Sequence, residues 1–436
     1  MKEFASIPVT KVQRASKFIS AGAKVGGNYV KYLSKKVLTG ESDRQGLDED
    51  NAEDIYQSLS ELKGSVLKAA QMLSMDQGLL PKAYASRFQM AQYSAPPLSY
   101  PLVVKTFQNH FGQSPSDMFD HFERKASHAA SIGQVHRAEL DARMLAVKVQ
   151  YPGVADSVKS DLKIAMPFAA RIMNLKATDL SMYVKEVEAK LLEETDYDHE
   201  LRQSIDLSEA CAHLPNLQFA TYYPLLSSKR ILTMDWMEGL HLKAWLAQEP
   251  SQKIRNLIGQ SLWDFYSYQL HILRKVHADP HPGNFLITAD QKLAVIDFGC
   301  IKEIPVDFYD NYFTLLRHSD TLQPEERDRI FAALDFVLPT DTEDEARYVT
   351  KQMSSLIHLL SQPFGNEKFD FSDTDYFSSI YNFADDLMQD KKIRSMNSAR
   401  GSKHGIYINR TLFGLYSLLH ELGAQVNTNA LVEVPV

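Results

Sequence analysis

Cysteine is nearly absent from this chain of 436 residues, which holds only Cys211 and Cys300. So few thiols exclude a disulfide scaffold and make a reducing compartment the expected setting. No uninterrupted apolar run approaches the ~18 to 20 residues that span a bilayer. The N-terminus also lacks the apolar core of a signal peptide. A soluble or peripheral protein is expected, cytoplasmic and reaching at most the inner face of a membrane. Excess positive charge is missing as well. The 47 Lys and Arg stand against 55 Asp and Glu, a net −8, which argues against nucleic-acid binding driven by overall charge. Compositional bias is lacking too: 44% apolar and 23% charged residues exclude a disordered or collagen-like chain. The length suggests about two or three domains, and there is neither an internal repeat nor a low-complexity tract.

Charge is unevenly spread. No acid occurs between Glu3 and Glu41, while Lys11, Arg14, Lys17, Lys24, Lys31, Lys35 and Lys36 accumulate there. Val12, Ala15, Phe18, Ile19, Ala23, Val30 and Leu33 recur among them at near-helical spacing. This suits either an amphipathic segment on an anionic membrane surface or a solvated tail, because Gly22, Gly26 and Gly27 weaken a helix. Between Glu41 and Asp54 acids dominate, which predicts a polar linker that ends by entering a helix, with a boundary near residue 50.

From Ala52 to about Arg87 the apolar residues Ile55, Leu59, Leu62, Val66, Leu67, Ala70, Met72 and Leu73 fall mostly at threes and fours, a helical pattern that Pro96, Pro97 and Pro101 break. Strand-like runs follow at Ile132 to Leu140 and Leu145 to Val149. A long helical stretch is expected from about Leu180 to Cys211, then a strand from Arg230 to Trp236. Asn284 to Ile287 and Leu293 to Ile296 read as a small hairpin about a turn containing Asp290. The remainder is mainly helical, and the aromatic-rich stretch at Trp263, Phe265, Tyr266 and Tyr268 is expected to be core.

Leu145-Ala146-Val147-Lys148 is a buried strand ending in a lysine, a pattern in which the ammonium pairs with nucleotide phosphates or simply reaches water. Upstream, Ala129-Ala130-Ser131-Ile132-Gly133 supplies small residues before a strand. Such residues let backbone N–H groups approach phosphates, or form an ordinary tight turn. The decisive stretch runs from His277 to Asn284, with Asn284 five residues beyond Asp279 and Asp297-Phe298-Gly299 thirteen residues further on. That is the kinase spacing. Phosphoryl transfer needs hard oxygen ligands for Mg²⁺, which Asn284 and Asp297 offer, and a carboxylate to orient the nucleophile, which Asp279 offers. His277, Asp279 and His281 also alternate like metal ligands of a zinc or iron hydrolase. That reading leaves Lys148 and Asp297 without roles, while Pro280 and Pro282 are more naturally read as shaping a rigid loop.

With these motifs the chain resembles the UbiB/AarF-domain (ADCK) atypical kinase family, associated with ubiquinone biosynthesis. The resemblance spans roughly residues 60 to 300. It also draws on Leu67 to Leu73, Lys148 to Val154, and Glu194-Thr195-Asp196-Tyr197 with Glu200. It implies that Ala129, Ala130, Ser131 and Ile132 form the family's alanine-rich nucleotide loop, and that Lys148 contacts phosphates and pairs with Glu200. Asp279 takes the catalytic-base position, and Asn284 and Asp297 hold Mg²⁺. Met234-Asp235-Trp236-Met237 is placed as the hinge that meets adenine. Lys68 and Gln71 match the regulatory KxGQ helix, with Glu194 and Asp196 as polar partners of Lys68. Ala70 stands where the family usually has glycine, and His128 where a further alanine is common.

The resemblance implies an α+β, two-lobed protein-kinase-like fold. A basic arm and acidic linker would occupy residues 1–50 and a helical extension 51–125. A β-rich N-lobe would follow at 126–240 and a helical C-lobe at 241–436, with ATP or ADP and Mg²⁺ bound between the lobes. The expected function is an atypical kinase or ATPase supporting isoprenoid quinone biosynthesis or handling, with an anionic membrane, an isoprenoid lipid and a quinone-biosynthesis complex as partners. A phosphotransferase acting on a protein or small-molecule hydroxyl, and a nucleotide-binding scaffold without turnover, are the alternatives.

Overall fold

The structure, a computed structural model, describes residues 24, 27–28, 30–32, 44–62, 98–129, 132–173, 177–319, 321–390, 392, 396 and 400–429. Two compact units divide the chain: Met1–Arg202 with Thr221–Trp236, and Gln203–Ala220 with Met237–Val436.

In the first unit, helix α1 (Arg44–Leu62) runs through the acidic stretch expected to be a linker. The helix expected from Ala52 thus begins earlier, at Arg44. The reason is burial: Leu47, Ala52 and Ile55 are enclosed, and Asn28 Nδ2 donates to Asn51 Oδ1 at 3.2 Å and to Asp54 Oδ2 at 2.8 Å. Most of the basic arm, and the helical pattern from residue 63 to 97, lie outside the described residues.

Helix α2 (Tyr100–Phe111) starts with proline in its first turn and ends at Gly112, whose φ of +69° is the left-handed cap that glycine adopts without penalty. A short helix α3 (Pro115–Met118) leads into strands β1 (His121–Phe122), β2 (His128–Ala129), β3 (Gly133–Leu140) and β4 (Arg143–Gln150). The sheet order is β1-β3-β4-β6 with β2 also on β3, where β6 is Ile231–Asp235. The expected strands at 132–140, 145–149 and 230–236 are present to within two residues at each end.

The β3–β4 hairpin turns on Asp141 and Ala142, both at positive φ of 51° and 60°, which matches the right-handed twist of the strands it joins. Alternation along β4 divides its side chains. Leu145, Val147 and Val149 pack with Val103 and Phe107 of α2, Phe119, Phe122 and Ile231 in one buried cluster. Ala146, Lys148 and Gln150 take the opposite face, and they too are buried.

Tyr151-Pro152-Gly153 then turns the chain, with Gly153 at φ +75°, into helices α4 (Val154–Met173), α5 (Ala177–Glu194) and α6 (Tyr197–Cys211). The single helix expected from Leu180 to Cys211 is thus two, interrupted at Thr195 and Asp196. No proline or glycine causes the break. Gln150 Nε2 and Arg230 Nη1 donate to the Thr195 carbonyl at 3.0 and 2.6 Å, so side chains from the sheet satisfy the end of α5.

The second unit holds the last turns of α6, strand β5 (Leu217–Phe219), and helices α7 (Leu242–Leu246) and α8 (Gln252–Tyr268). Strands β7 (Lys275–His277), β8 (Phe285–Ile287), β9 (Leu293–Val295) and β10 (Ile301–Glu303) follow. β8 and β9 form the expected hairpin, and β5 adds to β9 in parallel. β7 pairs with β10. Helices α9 (Val306–His318), α10 (Pro324–Ala333), α11 (Glu343–Ser361) and α12 (Thr374–Gln389) complete this mainly helical part with α13 (Lys403–Leu422) and the short pair β11 (Phe369–Asp370) and β12 (Gln425–Val426). Trp263, Phe265 and Tyr266 of α8 are buried as expected, with Trp263 stacked on Tyr416 of α13.

Candidate functional site

In the first unit, the strand period that puts Lys148 opposite the apolar cluster aims it toward the start of α6. There Nζ lies 2.7 Å from Glu200 Oε1, with side-chain exposures of only 10% and 5%. The ammonium also sits 5.1 Å from the centre of the Tyr197 ring. A buried ion pair is weak evidence of stability, because desolvation offsets the attraction; its value lies in holding one long side chain in a fixed direction.

Gly133 opens β3 beside this pair. A Cβ there would lie 2.7 Å from the Val149 carbonyl oxygen and 2.8 Å from the Tyr197 hydroxyl, so the strand needs glycine at its entry. Ile132 is buried and its carbonyl accepts from the Tyr151 N–H at 2.9 Å. Ala129 pairs through its backbone with Gln134, whereas Ala130 and Ser131 lie outside the described residues, as do Lys68 and Gln71. Glu194 is buried in the last turn of α5. Asp196 sits 3.7 Å from Lys229.

A buried polar row supports the same strand. The Leu98 N–H donates to Gln134 Oε1 at 2.6 Å, Gln134 Nε2 meets His136 Nε2 at 2.8 Å, and His136 Nδ1 meets the Glu123 carbonyl at 2.8 Å. Burial holds the His136 pKa below the ordinary histidine value, against the smaller opposing effect of Glu123.

In the 234–237 stretch, Met234 is buried in β6 opposite Ala146. The Asp235 and Trp236 N–H groups donate to the Thr221 and Met144 carbonyls, each at 2.9 Å. The Asp235 carboxylate accepts from the Tyr223 hydroxyl at 2.6 Å and the Thr221 N–H at 3.0 Å. Burial pushes its pKa up, but these bonds outweigh it and leave the group below the usual carboxylate range. Trp236 carries Arg137 over its ring at 5.1 Å and stacks on His128. The backbone N–H groups of Asp235 and Trp236 are thus already engaged within the first unit.

In the second unit, the loop from β7 to β8 is tied back on itself. The Asp279 carbonyl accepts from the His281 N–H at 2.7 Å and from Asn284 Nδ2 at 2.9 Å, while the Asn284 carbonyl accepts from the Ile296 N–H at 3.0 Å. With its amide nitrogen so engaged, Asn284 keeps its amide oxygen as the ligating end. Asp297, just past β9, accepts from the Gly299 N–H through Oδ1 at 2.8 Å. One amide oxygen and one carboxylate suit Mg²⁺, which prefers a few protein oxygens completed by phosphates and water. Among the described residues, no group of three or more His, Cys, Asp or Glu side chains is placed to hold a metal. The three alternating side chains of the 277–281 stretch are not brought together. His277 Nδ1 lies 3.4 Å from the Tyr266 hydroxyl and His281 Nδ1 accepts from the Gly283 N–H, while Asp279 turns to an arginine.

That arginine had no signal in the sequence. Arg410 of α13 places Nη2 2.7 Å from Asp279 Oδ1, with side-chain exposures of 9% and 8%. Cys300 is a small buried group in a cluster with Ala278 and Tyr407.

Residues 90–326 match the family described as ABC1 atypical kinase-like domain. The chain is similar to the probable serine/threonine-protein kinase abkA of Dictyostelium discoideum, with 27% identity over 383 residues, 82% of this chain and 66% of that protein. It is also similar to the mitochondrial atypical kinase COQ8 of Saccharomyces cerevisiae, with 28% identity over 321 residues, 72% of this chain and 64% of that protein. The mitochondrial atypical kinase coq-8 of Caenorhabditis elegans shares 28% identity over 328 residues, 72% of this chain and 43% of that protein. The chain thus spans less than two thirds of the length of these relatives. A solved complex of Rv3197 with erythromycin from Mycobacterium tuberculosis has a TM-score of 0.58 at 22% identity, covering 89% of this chain and 96% of that one. The expected α+β kinase-like fold is borne out.

Proposed function

Because the chain belongs to the ABC1 atypical kinase-like family, we propose that it is a magnesium-dependent atypical kinase or ATPase that supports isoprenoid quinone biosynthesis or handling. The buried Lys148–Glu200 pair, 2.7 Å long, is the observation that carries the nucleotide reading. A lysine kept for solubility would extend into water, whereas this one is desolvated and aimed by a carboxylate. In this reading Lys148 binds nucleotide phosphates, with the backbone at 129–132 close by in sequence and Met234 to Met237 receiving the base. Asn284 and Asp297 hold Mg²⁺, which neutralises phosphate charge when bound. Asp279 orients the hydroxyl or water that accepts the phosphoryl group. The quinone setting follows from the family resemblance and from relatives named COQ8. Among the described residues no helix is long and apolar enough to cross a membrane; the basic arm is the segment whose charge would suit an anionic membrane surface.

The test is the unfolding temperature of the purified protein with ADP or ATP, with and without Mg²⁺, for wild type and Asp297→Asn. A ligand that binds only the native state at a hundredfold excess over Kd adds about 2.7 kcal/mol. A magnesium-dependent rise in wild type, lost in Asp297→Asn, is expected. A folded wild-type sample that shows no shift with any nucleotide would sink the proposal.

A further inference from the structure

We infer that the second unit holds a small-molecule site for an amphiphile with a carboxylate head and an apolar body. Helices α10 and α11 both pack on α9, and a cavity of about 480 Å³ lies among the three. Ligand pockets run from ~300 to 1,000 Å³, whereas voids in a close-packed interior seldom exceed a water molecule. The cavity shares no residue with the nucleotide site proposed above.

Its lining is of two kinds. Leu315, Leu322, Phe331 and Ile357 supply an apolar wall, and Arg327 of α10 and Ser354 of α11 add polar groups. The Arg327 side chain is 34% exposed. Its Nε and Nη2 both turn to one oxygen of Asp328, at 3.1 and 2.8 Å, and Nη1 bonds no group among the described residues. A partly exposed pair of this sort is weak, so it competes poorly with a carboxylate held in the cavity. Among the described residues neither Asp nor Glu lines the cavity, and the fixed charge on its wall is therefore positive.

Ser354 is the second observation. Its Oγ is buried without a hydrogen-bond partner, although a helical serine can bond the carbonyl four residues back. Ser355 takes that bond to the Lys351 carbonyl at 3.2 Å, as Ser261 and Ser417 do to Leu257 and Phe413 at 2.9 and 2.8 Å. A carboxylate has two oxygens, one to accept from this hydroxyl and one from the guanidinium. A packing gap explains the arrangement less well, because cavities that stay empty are apolar throughout. Water alone would leave four apolar side chains wet.

The experiment titrates the full-length protein calorimetrically with octanoate, its neutral counterpart octanamide, and acetate, for wild type, Arg327→Gln, Ser354→Ala and Leu322→Trp, and follows the unfolding temperature of each. Octanoate should bind wild type saturably, one per chain, and raise the unfolding temperature. Octanamide, which lacks the charge, and acetate, which lacks the apolar body, should each bind at least about tenfold more weakly. Arg327→Gln should weaken octanoate about tenfold and leave octanamide within about threefold, a split that a merely structural change does not produce. Ser354→Ala should weaken octanoate about threefold or more. Leu322→Trp, at a half-buried position before α10, should fill the cavity and block both eight-carbon ligands. A folded wild type without saturable octanoate binding, octanamide bound as tightly as octanoate, or affinities unchanged in both Arg327→Gln and Leu322→Trp would overturn the inference. None of these results bears on the magnesium-nucleotide reading, which its own unfolding test decides.

Discussion

Lys148 and Glu200, 52 residues apart in the chain, meet at 2.7 Å with almost all water excluded. Removing one member of such a pair from a low-dielectric setting costs up to about 3 to 5 kcal/mol. Glu200→Gln should therefore lower the urea midpoint and weaken nucleotide binding by about tenfold or more, read by titration of a fluorescent ADP analogue. Unchanged affinity in a folded Glu200→Gln protein would refute the aiming role given to this carboxylate.

The β3–β4 turn holds Ala142 at φ +60°. A side chain in the left-handed region costs roughly 1 to 2 kcal/mol, part of which glycine returns through its larger unfolded-state entropy. Ala142→Gly is expected to stabilise the protein by about 0.5 to 1 kcal/mol, seen as a higher denaturant midpoint with an unchanged slope.

Arg400 grips Asp341 through two nitrogens, each 2.6 Å from a different carboxylate oxygen, and caps the Phe336 carbonyl at 3.1 Å. The guanidinium holds the Asp341 carboxyl below its usual range. A depressed acid stabilises the fold above its unfolded pKa, and that stability disappears as pH falls through the folded value. Arg400→Ala should cost about 3 kcal/mol near neutral pH. The difference from wild type should shrink in acid, measured by calorimetry across a pH series.

His271 is buried between Tyr309, whose hydroxyl lies 2.7 Å from Nδ1, and Arg317. Burial, reinforced by Arg317 and Arg274, brings its pKa down to about 3 from 6.5. Between those values the unfolded chain binds a proton that the native protein refuses, so stability falls as pH drops below 6.5, by up to about 1.4 kcal/mol per pH unit. His271→Gln should flatten that slope. A slope identical to wild type would show that some other group supplies it.

Local patterns were legible where one element carries them. The β8–β9 hairpin, the strand ending in Lys148, and the Asp279-to-Asn284 loop each follow from contiguous residues. What escaped was set by distant ones. Arg410 lies 131 residues beyond Asp279, on a helix whose sequence looks like any other amphipathic segment. The division between α5 and α6 carries no breaker of its own, because the Thr195 carbonyl is satisfied by Gln150 and Arg230 from the sheet. The acidic stretch before residue 54 reads as linker until Leu47, Asn51 and Ala52 are found buried. The alternating His277, Asp279 and His281 suggested shared ligation, yet each side chain turns to a different neighbour.

The row from Leu98 to Glu123 has a direction. Its first member is a main-chain N–H, which can only give a proton, and its last is a main-chain carbonyl, which can only receive one. Neither end is a side chain, and together they dictate the interior: the Gln134 amide must present oxygen to Leu98 and nitrogen to His136, and the imidazole must carry its hydrogen on Nδ1. One assignment satisfies every group. Glutamate at 134, though nearly the same shape, would lack the hydrogen to pass on, and a histidine charged on both nitrogens would meet a donor head-on. The strand that leads toward Lys148 is thus registered by a one-way sequence of protons whose grammar is written in the backbone.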